Sequence, residues 1–140
     1  ELVFTANKNA ELRPIASIAS GGEIARLMLA LKCLIAKSAE LPTIIFDEID
    51  TGVSGDVAGR MGEMMAEMAN DIQVITISHL PQIAARGGQH FKVFKHDTDD
   101  ATVTQIVELS VAERELEIAE MLSGKNPSEA AISAARELLN

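Results

Sequence analysis

The sequence has no tryptophan and no tyrosine, only four phenylalanines, and a single cysteine, Cys33. One cysteine excludes an internal disulfide and suits a reducing compartment. In its apolar, helix-like surroundings Cys33 reads as a small buried core residue. Without Trp or Tyr, a platform on which bases stack is not expected. No apolar run approaches the roughly 18 residues of a membrane span, and no secretory leader is visible at the start. Basic residues are scarce, 12 Lys and Arg against 21 Asp and Glu for a net charge of −9. They form no cluster, whereas a domain that grips nucleic acid by itself carries a basic face. Direct DNA binding is therefore not expected to be its main task. The phosphate-cradling pattern G-x-x-x-x-G-K-[ST] is missing as well; Gly124-Lys125 is followed by Asn126 and lacks the earlier glycine. Coiled-coil heptads, internal repeats and low-complexity tracts are also absent.

The composition that remains, 47% hydrophobic and 24% charged over 140 residues, is that of one soluble globular domain with a core. The opening Glu1 in place of Met suits a piece cut from a longer protein. Residues 2–6 and 11–15 flank the turn-like "NKNA" and suggest a hairpin. Residues 21–38 read as a helix, with Ile24, Leu27, Met28, Leu31, Leu34 and Ile35 at helical spacing. "TIIFDE" (43–48) and "IQVITIS" (72–78) read as buried strands of a parallel sheet. Between them, Val57, Met61, Met64, Met65 and Met68 form a core stripe on a second helix. Strand, helix, strand makes a βαβ unit with a right-handed crossover. A helical turn in "HLPQIAARGG" and an antiparallel hairpin around "DTDDA" follow. Two helices close the chain, one opened by a Ser110/Glu113 capping box, the other by Asn126 as N-cap with Pro127 and Glu129 behind it. The expected class is α/β, part of a mostly parallel sheet with flanking helices.

Three stretches carry candidate chemistry. In Ser20-Gly21-Gly22-Glu23, the S-x-x-E spacing fits a capping box. A capping box leaves the two glycines unaccounted for, each costing about 1 kcal/mol in a helix relative to alanine. Removing both side chains lets another group approach the backbone closely, and a helix N-terminus suits an anion such as phosphate. Asp47 and Glu48 end an apolar strand, at the edge where open α/β sheets bind ligands. Asp47 is a candidate for holding Mg²⁺ through water, and Glu48 for orienting or deprotonating an attacking water; two solvated acids at a strand end is the plain alternative. His79 ends the second strand and should share that edge, as a phosphate hydrogen-bond donor or as a structural histidine. Asp50 is the side chain expected to reach out of the turn "IDTGVSGDVA", unless that turn only caps a helix. His90 and His96 have no such setting.

In this order the motifs resemble the second half of an ABC-type ATPase head: signature (Ser20–Glu23), Walker B (Ile44–Glu48), D-loop (Ile49–Val53) and switch histidine (His79). The strings "ASGGEIARLMLALK", "IIFDEIDTGVSG" and "ITISHLPQIAARG" are similar to those of bacterial DNA repair ATPases related to the SMC proteins. The likeness runs over nearly the whole chain and is weakest at 91–109. It implies the C-terminal lobe of a split head, the Walker A lobe and a long coiled coil lying elsewhere in the protein. It further implies ATP and Mg²⁺ as cofactors and a homodimer of heads in which Ser20, Gly21, Gly22 and Glu23 meet the partner's nucleotide. The intact protein would act on double-strand breaks through ATP-driven head dimerisation, in the bacterial cytoplasm at the nucleoid, with no membrane partner. DNA would be reached through the intact protein rather than this acidic lobe, which alone would be inactive as an ATPase. A head lobe of another SMC-like or ABC ATPase, or a docking module without enzymatic activity, are the alternatives.

Overall fold

Helix α1 (Gly21–Ser38) opens with Ser20 as N-cap, and its buried side is a line of mostly small residues. Leu29 and Ala36 are fully buried, with Ala25 and Cys33 packed beside them. The bulkier stripe legible in the sequence points away: Ile24, Met28, Leu31, Leu34 and Ile35 are all exposed. Small side chains let the helix axis approach the core closely, which leaves the large ones on the far side with nothing among the described residues to cover them.

The computed structural model describes residues 3–5, 8, 11–15, 19–97 and 101–140. Strands β1 (Val3–Phe4) and β2 (Arg13–Pro14) pair antiparallel, as the first hairpin predicts. Most of its "NKNA" turn lies outside the described residues, as does most of "DTDDA". Strands β3 (Thr43–Asp47) and β4 (Gln73–Ile77) pair in parallel, with Phe46 opposite Thr76 and Asp47 opposite Ile77. Helix α2 (Gly55–Met68) crosses between them and completes the βαβ unit. Its methionine stripe is core as expected at Met61, Met65 and Met68, while Met64 is exposed.

The strands were expected to be buried on both faces; only one face is covered. Phe46 is fully buried and Ile44 and Val74 pack on the same cluster, whereas Ile45, Ile75 and Ile77 stand exposed on the opposite face. Strand alternation fixes this split, because among the described residues α1 and α2 pack on the Phe46 side. The core joins α1, Phe46, Val53, the buried side of α2 and Ile83 of the short α3 (Pro81–Ala84).

Strands β5 (Phe91–Asp97) and β6 (Thr102–Glu108) form the second hairpin. Helices α4 (Val111–Ser123) and α5 (Glu129–Leu139) follow and bury Ile118, Ala119 and Ala135 in a second cluster. The Ser110/Glu113 capping box is formed in full. The cap of α5 differs from expectation. Asn126 takes a left-handed backbone (φ 63°), and Ser128 is the N-cap, its hydroxyl accepting from Ala131 N at 3.3 Å. Arg114 ties this part to α3 by donating to the carbonyl oxygens of Ala85 (2.7 Å) and Gly87. Lys92 of β5 pairs with Glu117 and, at 3.5 Å, with Glu120 of α4.

Candidate functional site

The carboxyl edge of the β3–β4 pair collects the predicted residues. Strand β3 ends at Asp47, and the next residue, Glu48, sits in the left-handed region (φ 46°). A non-glycine residue there is uncommon and strained. Three hydrogen bonds hold it: Glu48 N donates to Ile77 O (3.1 Å), and Thr51 donates to Glu48 O through both its amide (3.2 Å) and its hydroxyl (2.9 Å). The turn breaks the alternation of the strand, and both acidic residues are exposed at the edge.

Asp50 does not extend from its turn. It is 1% exposed, because the turn folds back beneath the end of β4. There Ser78 Oγ donates to Asp50 Oδ2 and itself accepts from Leu80 N at 3.0 Å. His79 Nδ1 lies 4.0 Å from the same carboxylate oxygen, with its side chain 71% exposed. Among the described residues no donor reaches Asp50 Oδ1, which is buried. Nor does Asp50 cap α2, whose N-cap residue is Ser54.

The Ser20–Glu23 stretch forms a complete capping box. Glu23 N donates to Ser20 Oγ (3.3 Å), and Ser20 N donates back to Glu23 Oε2 (2.8 Å). The Ser20 amide and hydroxyl hold the Glu23 carboxyl below the usual carboxylate range. The two glycines separate. A Cβ on Gly22 would lie 2.9 Å from Gly52 O, so Gly22 is needed where the helix start meets the acidic turn; a Cβ on Gly21 would meet nothing within 4 Å. The group that approaches the Gly22 backbone is the chain's own turn, and Gly21 is the glycine that packing leaves unexplained.

The structure thus brings Gly22 against the Asp50 turn, and Asp47, Glu48 and His79 to one sheet edge. Ser20 stays exposed at its helix start. Sequence reasoning missed Ser78, Gly52 and Arg114. Ser78 adjoins the candidate histidine and Gly52 lies in the singled-out turn, but their partners are distant in sequence and have no local signature. Among the described residues no group of three or more His, Cys, Asp and Glu side chains is placed to hold a metal ion. An exposed carboxylate such as Asp47 suits Mg²⁺, which keeps several waters and binds through one or two carboxylates plus substrate phosphates. No helix is long and apolar enough to cross a membrane among the described residues.

This layout, a capped glycine helix start packed on an acidic turn with a histidine after the neighbouring parallel strand, is that of the C-terminal lobe of an SMC-like ATPase head. Solved structures agree. An SMC ATPase described for ATP-driven dimerisation and DNA-stimulated activation superposes with TM-score 0.66 at 26% identity, over 84% of this chain and 70% of that one. The Smc head domain with coiled coil and joint from Pyrococcus yayanosii gives TM-score 0.68 at 25% identity, over 81% of this chain and 21% of that one. No protein-family model matches the chain. In sequence the chain is similar to one segment of the RecN DNA repair proteins. It is 43% identical to RecN of Rickettsia bellii over 141 residues (99% of this chain, 26% of the relative). It is 46% identical to RecN of Deinococcus radiodurans over 138 residues (99% and 24%). The chain therefore spans about a quarter of the length of these relatives.

Proposed function

We propose that residues 1–140 form one domain of an ATP-hydrolysing DNA repair protein, and that the sheet edge at Asp47–Glu48 and the helix start at Ser20 serve two different nucleotides. The observation that supports this most directly is the packing of Gly22 on Gly52, which joins the helix start to the acidic turn while leaving Ser20 and Gly21 exposed. In this reading Glu48 orients the water that attacks the γ-phosphate and accepts its proton. His79 donates a hydrogen bond to a γ-phosphate oxygen. Asp47 would hold Mg²⁺ through water, and the ion, when bound, neutralises charge on the β- and γ-phosphates. Ser20 and the amides of the helix start meet the γ-phosphate held by a second copy, where the positive end of the helix dipole favours it. ADP lacks that phosphate, so closure of two heads depends on ATP. A lobe of net charge −9 leaves DNA contact to the rest of the intact protein, working in the bacterial cytoplasm at the nucleoid.

Mixing two full-length variants tests the arrangement. Ser20→Arg is expected to bind ATP but block closure; Glu48→Gln is expected to bind ATP and lose about 10²-fold in turnover. Each is inactive alone. A mixed dimer carries both defects at one nucleotide and neither at the other, so activity returns in part. Mixed dimers that form and recover no activity would show that Ser20 does not work on the partner's nucleotide.

A further inference from the structure

The turn after β3 contains a buried carboxylate with no evident structural reward. Asp50 is 1% exposed, one oxygen takes the Ser78 hydroxyl, and the other meets no donor among the described residues. Burying a partly satisfied carboxylate is unfavourable for stability, and an apolar residue of similar size would serve packing better. What the carboxylate does face is His79, whose Nδ1 is 4.0 Å away. We propose that Asp50 is a positioning residue that sets the orientation of the His79 ring, with Ser78 as the device that fixes Asp50.

The geometry gives each residue a definite part. Ser78 Oγ accepts from Leu80 N, so its own proton is directed to Asp50 Oδ2. That bond anchors the carboxylate from the same strand end that carries His79, so the two move together. With Nδ1 turned toward the carboxylate, Nε2 is the ring nitrogen left to meet a phosphate oxygen. At 4.0 Å the pair lies beyond a hydrogen bond, and a small rotation of the exposed ring brings Nδ1 onto the carboxylate while Nε2 stays directed outward. The other face of the same turn carries Gly52, which abuts Gly22. A shift of the α1 start therefore acts on the residue that orients His79.

The inference rests on the ATPase reading above, and a double-mutant cycle in the full-length protein separates the two. Asp50→Asn keeps the shape and removes the charge. It is expected to lower kcat by about 10- to 100-fold, with KM and the affinity for a fluorescent ATP analogue unchanged. In a His79→Ala background the same substitution is expected to add no further loss, since two residues acting as one unit are not additive. Ser78→Ala, which leaves the carboxylate in place, is expected to lower kcat less, also with no effect in the His79→Ala background. An equal loss with and without His79, or unchanged turnover in Asp50→Asn, overturns the inference alone. A wild-type protein that neither binds nor hydrolyses ATP overturns the ATPase reading and this inference with it.

Discussion

The Gly22 backbone lies so close to the Gly52 carbonyl that a single added carbon would stand 2.9 Å from its oxygen. Real Cβ atoms do not approach backbone oxygen so closely, and here the obstacle is main chain in a turn held by hydrogen bonds at both ends. Gly22→Ala must therefore displace either the helix start or the acidic turn. Overpacking of this kind costs about 1–3 kcal/mol. Gly21→Ala meets open space and is expected to be neutral or to stabilise by about 0.4–1 kcal/mol through the unfolded chain. Urea titrations followed by circular dichroism read the difference; without Trp or Tyr, intrinsic fluorescence would not. In the full-length protein Gly21→Ala should still impair ATP-dependent head closure if this glycine serves a nucleotide. Equal stability losses at the two positions would contradict the packing argument.

The 140-residue chain alone is expected to show no ATPase turnover, because it has no phosphate-cradling loop with its lysine. Phosphate release measured with Mg²⁺ and ATP checks this. Turnover that disappears in Glu48→Gln would show that the chain suffices by itself.

Arg114 joins the second cluster to the end of α3 through the carbonyls of Ala85 and Gly87. Arg114→Met keeps much of the apolar stem and strands those acceptors. Hydrogen bonds from a charged donor contribute about 1.5–3 kcal/mol, so a loss in that range is expected, and Arg114→Lys should recover little because one ammonium cannot reproduce the planar fork. Denaturant midpoints of the two variants decide it.

Burial pushes the His90 imidazole below its ordinary 6.5, and the nearby Arg114 acts in the same direction. The folded chain therefore takes up its proton later than the unfolded chain as pH falls. The sign follows: stability declines as pH drops from about 6.5 toward the lower folded value. His90→Gln should flatten that part of the profile. A second decline sets in below about 4.5, where the carboxyls of Glu23 and Glu113, held low by their capping boxes, begin to protonate in the unfolded chain first. Melts at a series of pH values, wild type against His90→Gln, measure both windows. Identical curves between pH 5 and 7 would rule out His90 as the source.

Much of the fold could be read from local pattern. Ser20/Glu23 and Ser110/Glu113 announce their helices because each capping box lies within four residues. The βαβ unit follows from two short apolar runs around a methionine stripe. The facing of α1 could not be read. The helix has two apolar sides, and the bulkier one looks like the core only if this chain supplies the partner; the buried side is the one with Ala25, Cys33 and Ala36. The start of α5 was ambiguous for a different reason. Asn126 and Ser128 are both good caps around Pro127, and the left-handed backbone at Asn126 hands the role to Ser128. At the candidate site, the acidic and histidine residues were legible as strand endings. The burial of Asp50 was not, because it depends on Ser78, 28 residues away.

The bare side of the β3–β4 pair determines how this polypeptide behaves as a preparation. Ile45, Ile75 and Ile77 face solvent there, and among the described residues each of these strands has a hydrogen-bonded neighbour on one flank only. Two strands with open flanks are a template for whatever extended chain arrives next. Self-association that rises with concentration is therefore the expected behaviour of this side.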